Sequence, residues 1–318
     1  QVTQWYPKAA LYDKDGWHAM PYLDQGEFYN DFGNYHVHIS LPENYKVGAT
    51  GVLQSVESAQ VSLPNNIIPI EDEPKKKLKP FFPKKIKTDE DDMTPASSKK
   101  WVTRHYAAER VTDFAWFADK TFIIKTDTVR LATHTIKANC YILPENEELY
   151  SNSMRFVKQA VRFYSNELGE YPYPEVNVVS APKALTYVTS MEYPMITLIT
   201  EETEEETDAT IAHEIGHNWL MGILATNERD HGWMDEGINT YYERKYRRTY
   251  YPEPLVQKNP LNFSGLNGAA VQALLQNLIA VKKDQPIETT SAAFSSSNYG
   301  AIVYEKTASW MELTEKTV

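Results

Sequence analysis

Two histidines and three glutamates stand in this sequence at the spacing a metal site needs. His213-Glu214-Ile215-Gly216-His217 lies within a stretch, 209–220, whose residue types favour a helix. Positions four apart stack on one helix face, so His213 and His217 can aim two imidazoles at one point. Glu214 leaves that face by about one helical step and can reach a water held there. Two imidazoles alone leave a catalytic zinc site one ligand short, because three protein groups and one open position are required. Eighteen residues separate His217 from Glu236, which lies in a second stretch, 233–243, that reads as a helix start. Glu236 is the natural third ligand. Glu243, seven residues on, has nearly the same angular position. It either holds a ligand imidazole through its other nitrogen or is a surface glutamate ahead of Arg244 and Lys245. Two imidazoles and a carboxylate suit Zn²⁺ ahead of other divalent ions. The alternative, two solvent-facing helix histidines, is weakened by the third donor.

The elements that must hold these residues follow a long β-rich stretch. Tyr35, Val37, Ile39 and Leu41 alternate with His36, His38 and Ser40, the period of a half-buried strand. His36 and His38 share one strand face and could bind a metal as a pair, but with no third donor nearby they read as solvent-facing. Residues 64–100 carry nine lysines, seven acidic residues and six prolines, the composition of a surface loop or linker. Strand-like segments resume at 101–106, 122–125 and 136–143. A helical pattern over Ser153–Leu168 then places Met154, Val157, Val161 and Tyr164 three and four apart. Strands are expected at 176–179 and 191–199. The acidic run 201–208 suits the positive end of the helix dipole and reads as a solvated helix start. The order, strands first and then strands mixed with helices, predicts a β-rich domain over residues 1–129 joined to an α/β or α+β domain over 130–318.

Composition narrows the function classes. The chain has 318 residues, 42% hydrophobic and 24% charged, enough to bury a sizeable core, with a net charge of -11. An acidic chain lacks the basic field that releases counterions from nucleic acid, and no nucleic-acid partner is expected. No run approaches the ~18 apolar residues of a membrane span, so no transmembrane segment is expected either. The one cysteine, Cys140, rules out an internal disulfide and a cysteine-rich zinc module, and reads as a buried thiol. Because the first residue is Gln1 rather than Met, a processed protein is expected, secreted or periplasmic rather than cytoplasmic. No feature sets an oligomeric state.

The site segments resemble a known family. HExxH followed at this distance by Glu236 within Trp233-Met234-Asp235-Glu236-Gly237 is similar to the gluzincin aminopeptidases, the aminopeptidase N and leukotriene hydrolase family. Asn218-Trp219 after the second histidine agrees. So does Met191-Glu192-Tyr193-Pro194, which occupies the place of the family's GAMEN strand, with Glu192 21 residues before His213. Tyr304-Glu305-Lys306, 68 residues after Glu236, is similar to the family's YxKG segment, and residues 110–116 resemble the end of its saddle-like β domain. Thr189, Ser190, Tyr193 and Thr307 depart from the pattern, where Gly, Ala, Asn and Gly are usual.

The resemblance implies a partial saddle-like β domain followed by a thermolysin-like zinc metallopeptidase domain, expected to be part of a longer chain. It implies one Zn²⁺ per chain and a peptide substrate with a free N-terminus. Glu214 would be the general base, Tyr304 the donor to the developing oxyanion, with Tyr299 as a rival, and Glu192 with Met191 would line the substrate site. A fixed carboxylate at Glu192 would pair with a free α-ammonium, a charge-assisted bond that an N-blocked peptide lacks. The expected function is removal of N-terminal residues from peptides. A thermolysin-like endopeptidase, which would not need Glu192, and a catalytically silent peptide-binding fragment are the alternatives.

Overall fold

A computed structural model describes residues 2–317 other than 22, 24, 27, 60–93, 184–189, 201–202 and 252–267. Most of the charged loop, Thr189 and the first residues of the acidic run lie outside the described residues.

The strands are concentrated before residue 143. β1 (Leu11–Asp13) and β2 (Gly16–His18) form a small hairpin. β3 (Gly33–Pro42), β6 (Trp101–Val111) and β5 (Val52–Ala59) form an antiparallel sheet in that order. The alternation in β3 decides its two faces. Val37, Ile39 and Leu41 turn inward to Tyr106 and Phe114, while His36, His38 and Ser40 stay exposed. β4 (Lys46–Ala49) pairs with β7 (Trp116–Asp119).

The sheet that carries the site is mixed. Its order is β11 (Ile196–Ile199), β10 (Glu175–Ser180), β9 (Thr135–Ile142) and β8 (Ile123–Arg130). β10 runs parallel to both neighbours, and β8 pairs antiparallel with β9. The expected junction at residues 129/130 falls within this β8–β9 pair. Parallel neighbours need a crossover, which α1 (Ser153–Leu168) supplies between β9 and β10. Phe156, Val157, Ala160, Val161 and Tyr164 are its buried stripe, and Gly169, at φ 105° and ψ 161°, takes a positive-φ conformation open to glycine and ends it. Cys140 is buried on β9, and burial pushes its thiol up to about 11, which keeps it protonated.

The strand expected over 191–199 is instead a tight hairpin. Met191 and Leu198 exchange backbone hydrogen bonds at 3.0 Å, and the Ile196 N–H donates to the Tyr193 carbonyl at 3.0 Å. Pro194 at the first corner and Met195 at φ 64° at the second are the signature of a type II turn. Folding back after Tyr193 leaves only Ile196–Ile199 in the sheet and buries Glu192 against the helices.

α2 (Glu204–Leu220) is buried on nearly all sides from Thr207 onward, between α1, β11 and α4. Its cap, Thr203, accepts from the Glu206 N–H at 3.3 Å. The acidic run is only partly solvated. Asp208 is fully buried and accepts from the Tyr246 hydroxyl at 2.6 Å and from Tyr251. α3 (Glu228–Gly232), a π-helical turn at Trp233–Gly237 and α4 (Ile238–Tyr250) continue the chain. They are followed by α5 (Gly268–Ala280), the short α6 (Ser296–Asn298), a second π-helical stretch at Tyr299–Lys306 and α7 (Thr307–Thr317). No described helix is long and apolar enough to cross a membrane.

Candidate metal centre

Three donor atoms meet where α2 packs against the Trp233–Gly237 turn. His213 Nε2 lies 3.1 Å from His217 Nε2 and 3.2 Å from Glu236 Oε2, and the third side, His217 Nε2 to Glu236 Oε2, is 3.3 Å. Tetrahedral zinc with ligand bonds of ~2.0–2.1 Å has ligand–ligand edges of ~3.3 Å. The triangle is therefore one face of such a tetrahedron, with a fourth corner left over.

The outer nitrogens of both rings are tied down. His217 Nδ1 lies 2.7 Å from Asp235 Oδ1, and His213 Nδ1 lies 3.1 Å from Glu243 Oε2. A carboxylate at Nδ1 keeps a proton there and leaves each Nε2 facing the other two donor atoms, the orientation a metal ligand needs. Glu243 is thus no bare surface glutamate; its other oxygen accepts from Arg247 Nε at 2.7 Å. Asp235, a neighbour of Glu236 in sequence, was given no role by sequence reasoning, and its only signal was that adjacency. These residues fit Zn²⁺ on geometry and on donor type.

The electrostatics follow from confinement. Burial alone would lower the pKa of His213, but the Glu236 and Glu243 carboxylates outweigh it and push it up to about 10. His217 is likewise raised, against its burial, by Asp235 and Glu236. Burial raises Glu236, and the two imidazoles overcome this and hold it well below the usual carboxylate range. The surrounding carboxylates thus hold protons on the two imidazoles, and a divalent cation at the triangle would take the place of those protons.

Two glycines let the elements approach. A Cβ on Gly216 would sit 2.1 Å from Asn239 Oδ1 and 2.6 Å from the Tyr164 ring. One on Gly237 would sit 2.4 Å from the Val303 carbonyl and 2.5 Å from Thr307. Close contact at Gly237 is what brings the Tyr299–Lys306 stretch to Glu236 and His213, and Thr307 fills that contact.

The remaining predicted residues divide by location. Glu214, Glu192 and His217 bring one ligand atom each within 4.8 Å of one another, all three buried. Burial raises the Glu192 carboxyl well above the usual range, and among the described residues its Oε1 accepts no hydrogen bond. Met191 is half-buried, bridged to Leu198 and packed beside Tyr193. The Tyr304 hydroxyl donates to Glu236 Oε1, and its ring stacks near His213. Tyr299, the rival, turns its hydroxyl to Glu228 Oε1 at 3.3 Å.

Fold and donor set together define a His–His–Glu centre of the metallopeptidase type. The sequence pattern described as "Peptidase family M1 domain" matches residues 152–318, and the chain belongs to peptidase family M1. It is 30% identical over 110 residues to Leucine aminopeptidase 2 of Coccidioides immitis (strain RS), a match covering 34% of this chain and 17% of that protein. Aminopeptidase 2 of Candida albicans (strain SC5314 / ATCC MYA-2876) is 21% identical over 196 residues, 58% of this chain and 20% of that protein. The chain thus spans about a fifth of the length of these curated relatives. Among solved structures, the fold is similar to an M1 zinc metallopeptidase from Deinococcus radiodurans, at TM-score 0.54 and 15% identity, covering 89% of this chain and 52% of that one. A two-domain M1 zinc metallopeptidase with bound L-tryptophan gives TM-score 0.56 at 15% identity, covering 92% and 54%.

Proposed function

We propose that the chain carries the zinc site of an aminopeptidase that removes N-terminal residues from peptides. The observation that carries this reading is the buried Glu192 carboxylate beside Glu214 and His217. An orphaned acceptor next to the reacting centre suits a substrate's free α-ammonium, whose charge would offset the burial of the carboxylate. That contact would hold the first peptide bond beside Glu214 and the His213, His217 and Glu236 donors, a positioning worth far more than its own hydrogen bond.

Zn²⁺ bound by His213, His217 and Glu236 supplies Lewis acidity toward water and the scissile carbonyl. Glu214, one step around α2 from His213, takes a proton from the attacking water and returns it to the leaving amine. Tyr304 donates to the oxygen that gains charge. That hydrogen bond would replace the one its hydroxyl donates to Glu236 Oε1. Asp235 and Glu243 hold the imidazoles through Nδ1. The β-rich part before residue 130 is read as the saddle-like unit and the remainder as the thermolysin-like unit, supported by the order of strands and helices.

The test compares an aminoacyl-anilide with its N-acetylated twin on metal-quantified protein. The free-amine substrate alone should be cleaved, and chelator should abolish cleavage. Glu192→Gln should reduce hydrolysis of the free amine far more than of the blocked twin. Equal turnover of both substrates would identify an endopeptidase, and zinc bound without turnover a silent peptide-binding chain.

A further inference from the structure

The solvent face of the β3-β6-β5 sheet brings together three histidines that lie far apart in sequence. His36 and His38, two apart on β3, point the same way, so their Cβ atoms lie ~6.7 Å apart along the strand. The third is His105 on β6, directly opposite His38 in the antiparallel register. Cross-strand partners have Cβ atoms ~4.5–5.5 Å apart, so each ring of the β3 pair reaches the ring from β6. The structure shows this reach. His36 Nδ1 lies 3.2 Å from His105 Nε2, and the His38 and His105 rings are parallel to within 2° with centroids 4.4 Å apart. The sequence offered a pair without a third donor; sheet register supplies the donor.

We infer that His36, His38 and His105 form a binding site for a divalent transition-metal ion, separate from the catalytic centre. Two nitrogens 3.2 Å apart already match the ligand–ligand edge of a metal with bonds of ~2.0–2.1 Å. At such a contact one nitrogen must offer a lone pair to the other, so at least one ring presents an acceptor. His36 and His38 are exposed. A rotation of the His38 ring out of its stack turns a nitrogen toward the same point without disturbing the core. The apolar face beneath, Val37, Ile39 and Tyr106, fixes the strands that carry the rings. The surroundings favour a cation. Ser55 lies opposite His105 on β5, and Glu57 lies opposite Thr103, one pair further along the same face. The Glu57 carboxylate accepts from the hydroxyl of Ser55, the cross-strand partner of His105, at 3.4 Å, and so puts a negative charge on this face of β5. Three imidazoles select Zn²⁺, Ni²⁺ or Cu²⁺ over Mg²⁺ or Ca²⁺, with Cu²⁺ the tightest. The remaining positions stay open to water, since the site faces solvent.

The site is tested on the full chain already holding one equivalent of zinc. Titration with Ni²⁺, followed by calorimetry and metal counting, should show a second equivalent with the first zinc retained. His105→Ala should weaken the second equivalent by more than about tenfold, because losing a ligand costs at least what losing a ligand's outer partner does. His38→Ala should do the same. Neither substitution should change the zinc content of the first site, which also reports that the variants are folded. Independently of any variant, one equivalent of Cu²⁺ added to the zinc-loaded chain should give an electron-paramagnetic spectrum with three equatorial nitrogens. Absence of a second equivalent, or a second equivalent held equally well by His105→Ala, would overturn the inference.

Discussion

Asp235 Oδ1 lies 2.7 Å from His217 Nδ1, and each side chain is only 1% exposed. The carboxylate is spent on one contact, since among the described residues its Oδ2 has no hydrogen-bond partner. Residues adjacent in sequence, Asp235 and Glu236, therefore grip the two ends of the same imidazole, one at Nδ1 and the other at Nε2.

Asp235→Ala should weaken zinc binding by ~10–100-fold, the usual cost of losing a ligand's outer partner. Asp235→Asn should recover most of it, because the amide oxygen still accepts from Nδ1–H. Competition against a chelator of known affinity measures both. Equal affinities for wild type and Asp235→Ala would remove Asp235 from this role.

Tyr304→Phe should lower kcat by ~10²–10³, the cost of one oxyanion donor. KM should change little if the hydrogen bond strengthens only as charge develops. Zinc content should stay at one equivalent, because the phenol donates to the ligand oxygen Oε1 while Oε2 completes the donor triangle. A rise in KM at constant kcat would assign Tyr304 to ground-state binding instead.

Gly237→Ala should destabilise the chain by ~1–3 kcal/mol, the range for overpacking. Its Cβ would meet backbone, the Val303 carbonyl at 2.4 Å, which cannot swing aside as a flexible side chain would. Thermal melts measure the loss, and an activity loss exceeding the loss of folded protein would show Tyr304 displaced from the ligands. An unchanged melting temperature would show that the two π-helical segments can separate freely.

Burial raises the Asp208 carboxyl above its ordinary value of 3.8, against the opposing hydrogen bonds from Tyr246 and Tyr251. A raised folded value means that the folded state holds the proton more tightly than the unfolded chain. Its stabilising contribution is full below about 3.8 and is lost as pH rises through the folded value. Asp208→Asn cannot titrate, so its melting temperature should gain on that of the wild type as pH is raised from 4 toward 7. A constant difference across that range would contradict the shift.

Legibility in the sequence tracked the range of the interaction. α1 was readable to its ends because its buried stripe repeats every three to four residues and Gly169 stops it. Over 191–199 the apolar composition points to a strand, and Pro194 is the residue whose type signals the turn made there. The fold there is set by Pro194 and by Met195 at positive φ. The acidic run looked solvated, yet Asp208 is buried, since Tyr246 and Tyr251 arrive from 38 and 43 residues away.

The two imidazoles and their common face are legible in the linear chain. Spacing of four in a helix puts them on one face whatever surrounds it, and Glu236 was the carboxylate at the right distance to complete them. What holds those imidazoles, which tyrosine faces Glu236 and where Glu192 points depend on packing between distant segments. The same holds for the meeting of His105 with His36 and His38. The reason is physical. A helical turn fixes neighbours three and four residues apart through local hydrogen bonds, whereas the Tyr304–Glu236 contact, the Glu192 hairpin and the strand register of β3 with β6 depend on close packing between elements brought together by burial of the core.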